Sequence, residues 1–191
     1  MIPEKALVKN MKTAYAAGGL RVWRAEYQHV DSLLFWSAGW LSITDTALLP
    51  RKALALLVEY LGKIPLLDEA FWLCKGRDAD RIKPQDVALL PLLEALPSHN
   101  VGIRDTNVLI DGCRLIAPTV GELIALDGDE LTMCPVALER GLYNPNTETV
   151  LWRESEDVQR LLLYRTYIRR SPEFVQYIGS YNFWEEGDVH A

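Results

Sequence analysis

Residues 155–170, SEDVQRLLLYRTYIRR, carry the reading on which the fold turns, because a helix here makes the chain α+β. Ser155 is a good N-cap, since its hydroxyl can accept from a free backbone N–H of the first turn. Glu156 and Asp157 then fall in the first turn and Arg169 and Arg170 in the last, where the helix dipole favours them. The spacing predicts a helix over 155–170. At 100° per residue, Val158, Leu161, Tyr164 and Ile168 share one broad face, Arg165 lies between Val158 and Ile168, and Leu163 and Tyr167 fall on the far side. Such a helix is apolar nearly all round, so it is either sandwiched in its own domain or lends one side to a partner. Arg165 must meet a carboxylate there, preferably an internal one, because burying a lone charge costs more than its packing returns.

Pro172 opens a short final helix ending near Gly179, and Phe174, Tyr177, Tyr181, Phe183 and Trp184 lie in and beyond it. Aromatic residues and arginine dominate binding hot spots. The candidate binding residues are therefore Arg165, Tyr167, Tyr177, Tyr181, Phe183 and Trp184. The competing reading tucks these aromatics onto the core.

Working back from this segment, the texture from Asn100 onward is that of hairpins. NVLIDGCRLIAP and ELIALDGDELTMCP each set Asp-Gly between apolar runs, at Asp111-Gly112 and Asp127-Gly128, and Asp-Gly supplies the positive φ angles of tight turns. Asn144-Pro145-Asn146 marks a third hairpin. Nearer the start, residues 3–17 read as a helix stopped by Gly18-Gly19, and LRVWRAEYQH alternates as a strand with one wet side. Pro50 and Gly62 bracket RKALALLVEYL as the clearest helix. KPQDVALLPLLEALPS is a poorer helix that Pro91 would break midway. The polar run KGRDADRIKPQD reads as a solvated loop. The expected fold class is α+β: a helix-rich N-terminal half, an antiparallel β-hairpin meander in the middle, and C-terminal helices packed on the sheet. A single domain, 1–191, is expected, with division into 1–97 and 98–191 as the alternative.

The run LLFWSAGWLSITD, 33–45, is too short to span a bilayer, which takes about 20 apolar residues. Its centre FWSAG lacks the first small residue of a nucleophile elbow, Phe35 standing in that place. It reads as two short strands joined by Ser37-Ala38-Gly39, with Gly39 left-handed in the turn, or as a buried helix carrying Trp36 and Trp40. In both readings the tryptophans are core residues.

Composition and charge narrow the function classes. The chain has 191 residues, 49% of them hydrophobic, with a net charge of −6. Residues 1–96 carry 12 Lys and Arg against 11 Asp and Glu, whereas 97–191 carry 8 against 15, and no lysine follows Lys83. An acidic half using only arginine disfavours nucleic acid, whose binding draws on clustered Lys and Arg. Cys74, Cys113 and Cys134 are sparse and odd in number, so free thiols in a reducing compartment are expected. MIPEKALVKNMK has no uninterrupted apolar region of the secretory kind, and the expected location is the cytoplasm.

No motif for a cofactor or metal survives inspection. Gly62-Lys63 lacks the flanking residues of a phosphate loop, the histidines at 29, 99 and 190 and the scattered cysteines offer no zinc spacing, and Leu131 and Thr132 spoil a calcium loop at Asp127. No cofactor and no metal are expected. Two catalytic constellations remain. Glu26, His29 and Asp31 could form an acid–base group at a strand end, the simpler reading being that Glu26 faces water while His29 packs beside Tyr27. Cys113 or Cys134 with His99 could form a thiol site, the simpler reading being inert buried thiols. The function expected is non-catalytic binding of another protein, in the manner of an antitoxin or immunity-like inhibitor or an accessory regulator. The alternative is a small hydrolase with a scattered Asp/Glu/His acid–base site.

Overall fold

The computed structural model describes residues 1–83, 89–154 and 159–166. Among these residues eleven antiparallel strands make one sheet: β1 (Leu20–Tyr27), β2 (Val30–Trp36), β3 (Trp40–Asp45), β4 (Ala70–Leu73), β5 (Asp80–Ile82), β6 (Val101–Ile110), β7 (Cys113–Pro118), β8 (Ile124–Asp127), β9 (Leu142–Asn144), β10 (Thr149–Arg153) and β11 (Gln159–Tyr164). The helices described are α1 (Glu4–Ala16), α2 (Arg51–Leu61) and the short α3 (Leu90–Ala95) and α4 (Gly128–Leu131). The strand order is β5-β4-β1-β2-β3-β11-β10-β9-β6-β7-β8. Both halves follow one path: a three-strand meander, then a return to the free side of its first strand.

This overturns the helix-rich N-terminal half and the C-terminal helices packed on the sheet. The decisive correction is at 159–164, a strand that pairs with β10 through Leu151↔Leu162 and with β3 through Leu162↔Leu41. The physical reason is burial on both faces. Leu161 and Leu163 enter the core under α1 and α2, while Leu162 enters a second core under α3. A strand covered on both sides loses its alternation and reads as a continuous apolar run. The Ser155 cap, the final helix at 172–179, and Tyr167, Tyr177, Tyr181, Phe183 and Trp184 lie outside the described residues.

Local chemistry places the rest. In α1, Leu7, Met11 and Ala14 recur on one buried face, and Gly18, at φ +74°, ends the helix. Pro50 precedes α2 and Gly62 caps it left-handed, its N–H donating to Val58 O at 2.8 Å. Tyr15 and Tyr60 stack at 3.7 Å and tie the two helices together. Pro91 begins α3 instead of breaking it, because its missing N–H is unneeded in a first turn. The polar run after Lys75 contains the edge strand β5.

The run 33–45 is the hairpin β2–β3, with Phe35 and Trp40 in the first core and Trp36 and Leu41 in the second. Asp111-Gly112 makes the β6–β7 turn, at φ +51° and +82°. β9 and β10 likewise form the third hairpin, through Thr149↔Asn144. Asp127-Gly128 makes no hairpin, because β8 stops there and α4 begins.

The outer strand β8 turns back to the end of β11. Tyr164 N–H donates to Gly39 O at 2.9 Å and Thr166 N–H to Ala125 O at 2.8 Å, so the chain leaving β11 passes from β3 to β8. No helix among the described residues is long and apolar enough to cross a membrane.

Candidate functional site

The carboxyl of Glu130 sits where β3, β8 and β11 meet. It is positioned by Asp127, whose Oδ1 accepts from Asp129 N–H at 2.8 Å and Glu130 N–H at 3.1 Å. An aspartate before Gly-Asp-Glu is a helix start, because it satisfies the orphan amides while Asp129 and Glu130 suit the positive end of the turn. The turn is fastened on two sides. Gly128 N–H donates to Gly112 O at 2.9 Å, and Asn10 of α1 donates to Asp129 O at 3.3 Å beside a Lys9–Asp129 ion pair of 2.8 Å.

Held in this way, Glu130 lays its carboxyl on Gly39 of the β2–β3 turn, so closely that any side chain at 39 would collide with it. That contact, and not a left-handed backbone, is what distinguishes this glycine: a side chain at 39 would have to push the Glu130 carboxyl aside, and Gly39 has no positive φ. Glu130 Oε2 is shut off from solvent and has no hydrogen-bond partner among the described residues. Burial, then the charge of Asp127, push this carboxyl up to about 7. A carboxyl in that range exchanges its proton around neutrality.

Among the described residues, those singled out in the sequence do not assemble into a second site. Gln28 and His29, at φ +50° and +66°, form the tight turn joining β1 to β2. His29 does not pack beside Tyr27; its side chain is 98% exposed and stands 3.5 Å from Glu26, which also faces water. Asp31 turns away to Arg24, accepting from Nε at 2.9 Å and Nη2 at 2.7 Å, and these hydrogen bonds hold it below the ordinary carboxylate range. Glu26, His29 and Asp31 thus share a hairpin without sharing a site.

His99 is buried, with Nδ1 at 3.2 and 3.1 Å from Ala95 O and Leu96 O and Nε2 at 2.8 Å from Thr149 Oγ1. Two carbonyls at Nδ1 fix the proton there, so Nε2 accepts from the threonine. Burial keeps this histidine below its ordinary value, and no described contact joins it to a cysteine. Cys74, Cys113 and Cys134 are free thiols. Burial raises Cys113 and pushes Cys134 up to about 12, the reverse of what a nucleophile needs. Arg165 follows β11 and donates to Glu148 Oε1 at 2.9 Å. The internal carboxylate expected for it is present, on a half-exposed residue.

The sequence reading missed a surface as well. After α2, the stretch 64–67 (Ile-Pro-Leu-Leu) presents three apolar side chains to water on either side of the buried Pro65, with Ile64, Leu66 and Leu67 exposed at 39%, 64% and 52%. The segment is fixed in place. Glu69 Oε2 accepts from Lys63 Nζ at 2.7 Å and Leu66 N–H at 2.9 Å, and the Lys63 bond, then the Leu66 amide, hold Glu69 below its ordinary value. Arg24 Nη1 donates to Pro65 O at 3.1 Å, and Asp68 N–H to Arg24 O at 2.7 Å. Adjacent leucines between a helix cap and a strand were the available signal.

Among the described residues no group of three or more His, Cys, Asp or Glu is arranged to hold a metal ion. No family model, curated protein or solved structure matches this chain, so its reading rests on its own residues.

Proposed function

We propose that this chain is a non-catalytic cytoplasmic protein that binds another protein, as an immunity-like inhibitor or accessory regulator does, and that residues 64–67 are its contact. The observation that carries the reading is an exposed apolar segment whose backbone is already fixed by Arg24 and Glu69. Apolar side chains in water gain by being covered, and a pre-ordered loop loses little freedom when a partner covers it. Charge supports a protein over a lipid surface. Around the segment Arg24, Lys63 and Arg81 are matched by Asp31, Asp68 and Glu69, leaving no basic excess for anionic headgroups. The partner is therefore a folded protein offering an apolar pocket with a nearly uncharged rim.

The test is affinity capture from the native host with the unaltered chain and with Leu66→Ser/Leu67→Ser, followed by titration of the purified partner. A stoichiometric partner that loses roughly 100-fold in affinity for the double variant is expected, from about 1.5 kcal/mol per leucine uncovered. A partner that binds both proteins equally, or no stoichiometric partner, overturns the assignment. The small-hydrolase alternative draws its support from Glu130 alone, whose proton exchanges near neutrality. Its inaccessible Oε2 argues against substrate contact.

A further inference from the structure

Glu130 has a second consequence, conformational and independent of the loop at 64–67. We propose that its carboxyl is a pH-sensitive latch on the seam between the two halves of the sheet: neutral, it stays packed on Gly39, and ionised, it moves to water and frees the β2–β3 turn from α4. The seam depends on that packing. The carboxyl touches the residue whose carbonyl receives Tyr164 N–H, and β8, which leads into α4, receives Thr166 N–H. Oε2 lies in this contact without a donor among the described residues, so a negative charge there has nothing to offset its lost hydration.

The groups around it favour the neutral form. From its own turn come Asp127, whose charge repels it, and Asp129, which takes up Lys9 of α1 at 2.8 Å. α1 also sends the uncharged Asn10, and the β6–β7 turn brings the Cys113 thiol with Asp111 beside it. The β2–β3 turn, Ser37-Ala38-Gly39, has no ionisable side chain, and Tyr164 on β11 packs against the second core, where burial pushes its hydroxyl up to about 12. Lys9, the cation α1 brings to this turn, is engaged by Asp129.

The sign follows from the carboxyl being raised in the packed state. The packed state holds its proton more tightly than the open one, so the seam is firmest below about pH 4.5, weakens as pH rises toward about 7, and changes little beyond. The experiment is carboxyl-carbon NMR of Glu130, with hydrogen exchange of the Tyr164 and Thr166 amides from pH 4 to 8 corrected for intrinsic exchange. Glu130 is expected to titrate near neutrality, and protection of both amides to fall on the order of 100-fold over that interval. Glu130→Gln should hold that protection constant with pH. Gly39→Ala, which displaces the carboxyl, should return Glu130 to the ordinary carboxylate range. Titration of Glu130 below about pH 5 in the unaltered chain, or protection that ignores pH, overturns the latch. Both measurements on the unaltered chain decide the matter even where a variant fails to fold.

Discussion

After its third strand, each half of the sheet ends on an aspartate that caps the next turn. Asp45 Oδ1 accepts from Ala47 N–H at 2.8 Å, and Asp127 Oδ1 from Asp129 N–H at 2.8 Å. Three residues past the aspartate, the first half has Leu48 and the second has Glu130. Leu48 is 43% exposed, whereas Glu130 presses its carboxyl onto Gly39 with one oxygen closed to solvent. Water reaches the apolar side chain freely and is kept from one oxygen of the ionisable one, the reverse of what burial favours. The first half continues into α2, which roofs its core with Ala53, Leu56 and Leu57. The second has only the four residues of α4. Two segments on one path thus part ways where a long amphipathic helix makes the cap purely structural and a short turn leaves a titrating group on a seam.

The largest expected effect is at the strand that holds the halves together. Leu162 of β11 is 1% exposed, is flanked by Leu41 of one half and Leu151 of the other, and lies in the core under α3. Leu162→Ala should cost about 3 to 4 kcal/mol, the removed methyl groups plus an unfilled space between strands that cannot close in. Urea unfolding checks the value. Separate transitions for the two halves would show that β11 is not a common element.

Next in size is the exchange of the first half's residue into the second. Glu130 is raised from its ordinary 4.5 to about 7, so folding is opposed progressively as pH climbs through that interval and by a constant amount above it. Glu130→Leu removes this term. It should leave stability at pH 4.5 little changed and raise it at pH 8 by about 2 to 3 kcal/mol, read as the difference between the unfolding curves of the two proteins at each pH. Equal differences at both pH values would mean that Glu130 titrates normally and that the two caps are equivalent.

Legibility in the sequence divides along the same line. α1, α2, β1 and the Asp111-Gly112 turn announce themselves through one-sided periodicity, Pro and Gly boundaries and turn chemistry, all local signals, whereas the run 33–45, buried on both faces, leaves a hairpin and a buried helix both open. β11 does not announce itself either, because burial on both faces erases the alternation that marks a strand, and its leucines fit a helix equally well. Asp127-Gly128 misleads for another reason: its reading as a hairpin turn is overturned because the same dipeptide also suits a capped helix start, and Asp127 caps α4 here. Glu130 carries no local mark, and Gly39 is marked only as a turn residue. They are 91 positions apart in the chain, and their meaning comes from the return of β8 to the end of β11.

The smallest effect belongs to the converse exchange, Leu48→Glu. Its side chain already stands in water, so a carboxylate there keeps its hydration and loses little packing. Asp45 also faces that turn, and a second negative charge there is screened by solvent. Stability should stay within about 0.5 kcal/mol of the parent from pH 4.5 to pH 8, and the new carboxyl should titrate in the ordinary range by NMR. The pairing of the two exchanges is what gives this small number its force. If Glu at 48 titrates near neutrality, the capping aspartate and its turn are enough to raise a carboxyl, and Gly39 and the seam have no part in the effect. If it titrates normally while Glu130 does not, the difference lies in what the second half places against its carboxyl, the bare Cα of Gly39 at the passage of β11 from β3 to β8.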